Sequence, residues 1–332
     1  MAILRLLAAV MICQAAVARA EPVQLRMATI APDGTKWIRE LKAFGRDIET
    51  KTQGRVTMKW YFGAIAGDEL QVVDRIRRGQ LDGEAGAQVC DRLAPSLRIM
   101  RVLGLFQTYD EASYVIGRLR VAVDGQFRQS GFFGAATEMG NDILFSRTPI
   151  GTLSALRASH LWMWNLDDVL GAQLETMGIH PVRLPVDQAG AAYDDGRISG
   201  FVAIPTAALA YQWSSRSRYF TNLRLAFLPA CMIISNQTFD ALSLVDQQAV
   251  REATAKLESR FADLGRTQDA QLIDGLFAKQ GVKPVAVSDT FRAEFFESAA
   301  AAREKIPEKL VPRGLLLQVE GWLADYRVEH RR

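Results

Sequence analysis

Between Ser154 and Trp213 the chain carries His160-Leu-Trp-Met-Trp164, then Asp167-Asp-Val-Leu-Gly-Ala-Gln-Leu-Glu-Thr-Met177, Pro181-Val-Arg-Leu184 and Gly200-Phe-Val-Ala-Ile204. Short apolar runs alternate here with stretches of helical spacing, so the segment reads strand, helix, strand, helix, strand, helix. Asn165 or Asp167 caps the helix to Met177, Asp187 caps the short helix to Asp195, and Gly196 ends it. Three of the six tryptophans, Trp162, Trp164 and Trp213, fall in these residues. A strand that ends in aromatics where a helix is about to begin is where an α/β protein places a ligand. Trp162 and Trp164 are two apart on one strand, so they share a face, whether toward the cleft or toward the core.

The same alternation opens the chain. Gln24 to Ile30 reads as a strand, and the next helix carries Trp37, Leu41, Phe44 and Ile48 on one face, with Asp33 or Thr35 as its cap. Arg55 to Phe62 is the second strand, Asp68 caps a helix bearing Leu70, Val73 and Ile76, and Leu81 to Val89 is the third strand. A β-α-β-α-β order implies a mainly parallel sheet whose crevice lies at the carboxyl ends of its strands. Those ends are Ile30 to Trp37, Tyr61 to Ile65 and Gly86 to Cys90 in the first half, and Pro205 and Thr206 in the second. Tyr61, Gln88, Pro205 and Thr206 are therefore candidate ligand contacts, as is Trp37, which reads equally as a core aromatic. Gln88 and Gln212 offer hydrogen bonds, although either can serve backbone groups instead.

Asp110 to Phe127 is helical, Gly134 to Arg147 is a strand and turn into the second half, and Pro149 to Leu156 reads as a loop. From Ser243 an apolar period runs through Val250, Leu257, Phe261 and Leu264 to Leu276 without proline. A helix of about 35 residues is about 50 Å long, more than one lobe across, so it bridges two lobes. The expected fold is α/β in two lobes, each a mixed, mainly parallel sheet with flanking helices. Residues 21–145 with 235–275 form the N-terminal lobe, and 146–234 with 276–332 the C-terminal lobe.

Met1 to Ala20 has the lone Arg5, an apolar run from Leu6 to Val17, and small residues at Ala18 and Ala20, which is the pattern of a secretory signal cleaved after Ala20. Cys13 raises lipid attachment, but Met11-Ile12 puts bulk where such sites need a small residue. Removing Arg5 and Arg19 takes the formal charge of +3 to +1, which argues against nucleic acid or an anionic membrane as partner. No other run reaches the roughly 18 apolar residues of a membrane helix. The remaining cysteines, Cys90 and Cys231, sit in apolar, strand-like settings, and two buried free thiols are favoured over a disulfide.

The three histidines, His160, His180 and His330, are isolated. No metal triad, Ser-His-Asp arrangement, Gly-x-Ser-x-Gly, Walker A loop or dinucleotide fingerprint occurs, so the expected function is binding without catalysis, cofactor or metal.

Ala28-Thr-Ile-Ala-Pro-Asp-Gly-Thr-Lys-Trp37, Lys51-Thr-Gln-Gly-Arg-Val56, Tyr61-Phe-Gly63, Gly67-Asp-Glu69 and Gly79-Gln-Leu-Asp-Gly83 resemble the periplasmic solute-binding proteins of TRAP transporters, the dicarboxylate-binding type. Ser146-Arg-Thr-Pro-Ile150, Leu156 to Trp164, Leu174 to Pro185 and Gly196 to Gly200 continue the match. The resemblance implies a two-lobed receptor that closes on a small solute and delivers it to TRAP membrane subunits. A periplasmic sensor or lipid-holding protein with the same clamshell and no permease is the alternative.

One departure bears on the solute. In the family the second-lobe strand ends Lys-Ile-Arg-Val-Pro, and its arginine clamps a substrate carboxylate. Trp162 stands at that position, and the second basic position falls near Asp142, with Glu138 before it. Arg147 and Arg157 are the candidates for substitute clamps. Trp162 with Tyr211-Gln212-Trp213 resembles a subgroup in which tryptophan replaces the arginine, which implies an apolar or amphipathic, non-carboxylate solute and, in some members, a tetratricopeptide-repeat periplasmic partner. The expected contacts are thus Trp162, Trp164, Trp213, Gln212, Gln88, Trp37, Tyr61, Glu138, Pro205 and Thr206, with Glu69 readable as a ligand contact or a helix-start acid.

Overall fold

The structure, a computed structural model, describes residues 22–330. The expected cleavage point after Ala20 lies outside that span. In chain order the strands are β1 (Val23–Ala28), β2 (Val56–Tyr61), β3 (Gly83–Gly86), β4 (Phe132–Asn141), β5 (Ile143–Ser146), β6 (Leu161–Trp164), β7 (Val182–Leu184), β8 (Gly200–Ala203), β9 (Tyr219–Thr221), β10 (Phe227–Ser235) and β11 (Lys283–Val285). They form a five-stranded sheet, β2-β1-β3-β10-β4, and a six-stranded sheet, β11-β9-β5-β8-β6-β7. In the first, β1 runs parallel to β2 and β3, and β10 runs antiparallel to β3 and β4. In the second, β6 is parallel to β7 and β8, while β5 is antiparallel to β8 and β9. The fold is two-lobed and mixed α/β, as the sequence implies.

Local chemistry starts the helices where expected. The Thr35 hydroxyl accepts from the Ile38 N–H at the head of Lys36–Lys51, and Asp68 forms a reciprocal capping box with Gln71 at the head of Glu69–Arg77. Helix Lys36–Lys51 buries Trp37, Ile38, Leu41, Phe44 and Ile48 against one face of the first sheet, together with Val250, Leu257 and Phe261 of the long helix. The other face carries Val72, Val73, Leu97, Leu119 and Phe127. The second sheet is sandwiched in the same way, with Leu153, Leu170, Leu174 and Phe295 on one face and Trp162, Phe201, Trp213 and Phe277 on the other. Among the described residues no helix is long and apolar enough to cross a membrane.

Several boundaries differ from the sequence reading. The third strand stops at Gly86, and Gln88–Leu93 is a helix, because Glu69 accepts the Ala87 and Val89 N–H groups and turns the chain there. Cys90 therefore sits on a helix, and it is joined to Cys231 of β10 by a disulfide with a Cα–Cα distance of 5.6 Å, correcting the preference for free thiols. Strand β10 belongs to the first sheet, so residues 227–234 leave the lobe to which the sequence assigns them. Helix Arg313–Glu329 likewise packs Leu316, Val319 and Leu323 into the first lobe's core. Leu153–Arg157 is a short helix, capped by Thr152, within the expected loop. The N-cap position of Val186–Asp194 is Pro185, with no side-chain cap from Asp187.

Among the described residues four segments cross between the lobes, the last joining Asp289–Arg303 on the second sheet to Arg313–Glu329 on the first. Between β4 and β5, Asp142 accepts from the Leu225 N–H at 2.9 Å, and its own N–H donates to the Ala226 carbonyl at 2.9 Å, so the outgoing and returning chains pair at the crossing. The third crossing is helical. Leu244–Gln271 continues through a π-helical turn at Leu272–Leu276 into Phe277–Lys279. Its buried residues step by four through Leu257, Phe261, Gly265 and Asp269, and by five from Leu272 to Phe277. At Gly265 the helix lies so close to β4 that a Cβ would fall 2.1 Å from the Met139 carbonyl oxygen, which only glycine avoids.

Candidate functional site

A cavity of about 110 Å³ lies where the two sheets face each other at these crossings. A single water needs about 10–15 Å³ of such volume, so the space suits a small organic molecule. Its first-lobe side comes from the ends of β1 and β3, from β4 and β10, and from Trp37, Leu41, Leu257 and Phe261 on the covering helices. Its second-lobe side comes from the end of β6, from β8 and from Ala207, Tyr211 and Trp213. A hydrogen bond joins the sides: the Tyr211 hydroxyl donates to the Ile30 carbonyl at 3.2 Å.

The second-lobe side is aromatic. Phe201 stacks on Trp213 with centroids 5.1 Å apart, Tyr211 stacks on the same indole at 5.0 Å, and Trp162 tilts against it at 4.7 Å. Trp162 is 3% exposed and its indole N–H donates to the Leu184 carbonyl at 2.9 Å. It is thus both part of the core and part of the cavity surface. Trp164, partly buried, lies on the same side, as the period-two argument requires.

The polar groups are buried and carry mainly negative charge. Arg101, 2% exposed, donates through Nε to Asp167 Oδ2 at 2.9 Å and through Nη2 to Asp142 Oδ2 at 2.6 Å. Burial would lower the guanidinium's pKa, but the two aspartate charges outweigh it and raise the value. Burial also pushes the Asp142 carboxyl above its usual range, against the pull of Arg101. Asp167 caps the helix Asp168–Thr176 through the Leu170 N–H at 3.1 Å, and the Gln88 amide donates to its Oδ2 at 3.3 Å. Burial raises Glu69 to about 7, despite its bonds to the Ala87 and Val89 N–H groups at 2.8 and 2.7 Å.

Of the residues singled out in the sequence, Trp37, Gln88, Trp162, Trp164 and Trp213 line this cavity, with Gln88 in the first turn of a helix instead of at a strand end. The other five do not. Tyr61 packs against the first lobe's core beneath Lys59. Glu138 points to the opposite face of β4, where the Ser113 hydroxyl donates to it; its neighbours Thr137 and Met139 face the cavity. The Thr206 N–H docks on Asp269 at 3.1 Å, and it is Ile204, at the N-cap of Pro205–Ala210, and Ala207 within it that face the cavity instead. Gln212 is exposed in a left-handed conformation, φ +60°, that turns the chain into Trp213. Neither substitute arginine reaches the site, since Arg147 lies over the Tyr193 ring and Arg157 donates to the Met177 carbonyl. Arg101 escaped the sequence reading, although a lone charge inside Ile99-Met-Arg-Val-Leu103 is a signal for a buried ion pair.

Residues 27–309 match the family described as bacterial extracellular solute-binding protein, family 7. This chain belongs to that family. It is 24% identical over 226 residues to a solute-binding protein of Chromohalobacter salexigens, covering 64% of each chain, so it spans just under two thirds of that relative. With the 2,3-diketo-L-gulonate-binding periplasmic protein of Escherichia coli K12 it shares 21% identity, over 82% of this chain and 83% of the other. Among solved structures, a TRAP periplasmic solute-binding protein from a Polaromonas species, bound to D-erythronate, superposes with a TM-score of 0.81 at 19% identity, over 90% of this chain and 98% of that one. A Haemophilus influenzae counterpart with bound L-gulonate gives 0.81 at 16%, over 90% and 99%. The second-lobe and first-lobe sheets of this family 7 protein thus sit in an architecture shared with TRAP receptors.

Proposed function

We propose that this protein is the extracytoplasmic solute receptor of a TRAP-type secondary transporter, exported by a segment cleaved after Ala20, and that it binds a non-carboxylate, apolar or amphipathic solute between its lobes. Family membership supports the receptor reading, and the lining supports the choice of solute. The observation that carries the latter is the state of Arg101. This guanidinium, the only one lining the cavity among the described residues, is shared by Asp142 and Asp167, leaving the cluster with a net charge of −1. A further buried carboxylate would add to that charge at a cost of several kcal/mol. The Escherichia coli, Polaromonas and Haemophilus proteins named above bind sugar acids, and Trp162, where the resemblance puts the family's carboxylate-clamping arginine, is the departure on which the choice of solute turns.

Solute touching both walls favours the closed arrangement by its extra contacts there. Native mass spectrometry of the mature protein, with extraction of what co-purifies, tests the reading; a tightly held mono- or dicarboxylate overturns the choice of solute and leaves the receptor assignment standing. Trp162→Ala is expected to abolish ligand-dependent thermal stabilisation, and Trp162→Arg to gain binding of small acids. The proposal extends to TRAP membrane subunits and to a tetratricopeptide-repeat periplasmic protein as partners, which co-purification from the native membrane and periplasm checks.

A further inference from the structure

Backbone donors that face a cleft are the ready means of holding an anionic solute. Here the chain's own carboxylates occupy them. Glu69 takes the Ala87 and Val89 N–H groups, and Asp167 takes that of Leu170. Four carboxylates line the cavity, Glu69, Asp142, Asp167 and Glu258, against one guanidinium. Glu258 is paired with Arg120 at 3.0 Å, Asp142 and Asp167 share Arg101, and Glu69 has backbone donors alone.

Among the described residues two fully buried side-chain polar atoms of the lining have no partner. One is an acceptor, Oε1 of Gln88, a residue only 1% exposed. The other is Nη1 of Arg101, a donor on a cation whose charge two aspartates already outweigh, which suits a neutral oxygen such as a hydroxyl. The rings of Trp162, Trp164, Tyr211 and Trp213 line the same cavity, with Trp213 stacked on Phe201 and Tyr211 and Trp164 partly exposed at the strand end. Indole faces attract cations through the ring quadrupole, and aromatic cages are the recurrent means of holding a quaternary ammonium.

We infer that the solute carries a positively charged nitrogen, a protonated amine or quaternary ammonium, held between the indoles of the second lobe and the carboxylates of the first. The inference rests on the reading of a non-carboxylate solute and adds the charge of its head group. Burial holds Glu69 near neutrality, and a cation in the cavity would offset that burial cost.

Three probes of nearly equal shape separate the cases: choline, 3,3-dimethyl-1-butanol and 3,3-dimethylbutanoate, of charge +1, 0 and −1. Titration calorimetry on the mature full-length protein is expected to show choline binding at least about 10-fold more tightly than the alcohol, the scale of a desolvated cation–π contact, with the butanoate weakest. Trp164→Leu, at a partly buried strand end, is expected to weaken choline more than the alcohol. Equal affinities for choline and the alcohol, or no choline binding at millimolar concentration, overturn the inference and leave the non-carboxylate reading intact. Tightest binding of the butanoate overturns both.

Discussion

The two walls of the cavity are made of different chemistry for different purposes. On the first-lobe side, Glu69 is bound to backbone donors, Cys231 is tied to Cys90, and Ala85, Ala135 and Ala230 keep the sheet surface low. On the second-lobe side, large rings stack on one another and line the cavity. The polar wall is engaged in holding the frame together, while the aromatic wall is free to meet a ligand. Polar residues in a cleft are therefore a poor guide to solute chemistry until their existing partners have been counted.

The sharpest way to break this contrast is to remove Arg101. Arg101→Ala leaves Asp142 and Asp167 buried without a counter-charge beside the lobe crossing, and chemical denaturation should show a loss of about 3–5 kcal/mol. A loss below 1 kcal/mol would mean that the guanidinium is not structural and is available to a ligand. The disulfide comes next. It closes a sequence separation of 141 residues, and Cys90→Ala with Cys231→Ala should cost about 2–4 kcal/mol, read as a lower denaturation midpoint that matches the reduced wild type.

The first wall also sets a pH dependence. Glu69, Asp91 and Asp269 are each raised by burial to about 7, so between the unfolded carboxylate range near 4 and pH 7 the native state holds more protons than the unfolded state. Stability then falls as pH rises from about 4 to about 7. The depressed carboxyls of Asp82 and Asp246, held down by Arg26 and Arg55, lose their contribution only at lower pH, below this window. Glu69→Gln should flatten the decline by an amount on the order of 1–3 kcal/mol, measured from denaturation midpoints across the window. The smallest effect belongs to the contact between the walls. Tyr211→Phe removes the hydroxyl that donates to Ile30 and should cost the closed state about 0.5–1.5 kcal/mol, seen as a several-fold weaker apparent ligand affinity with unchanged spectra.

The fold was legible because periodicity and caps are local. Thr35, Asp68, Asp167 and Ser243 each start the helix that the sequence assigns to them or to an adjacent cap. The site was legible only in part. Trp162, Trp164 and Trp213 declare themselves by type and spacing, but whether Glu138 or Thr137 faces inward depends on strand register, which sequence periodicity fixes poorly in a strand buried on both faces. Gln88 and Cys90 read as strand residues because nothing local shows that Glu69, about twenty residues earlier, caps a helix there. Arg101 pairs with residues 41 and 66 positions away, and such pairs are invisible to any windowed reading.

The π-turn at Leu272–Leu276 sets the phase of the crossing helix. Up to Asp269 the buried face meets β4 and the first sheet, and beyond the five-residue step Phe277 packs against Phe145 and Phe220 of the second. A π-turn takes five residues where an α-turn takes four, so the surplus residue is absorbed within the turn and the buried face carries on beyond it. One continuous rod thereby keeps a buried face through two separate cores, with a single surplus residue taken up at the passage from one to the other.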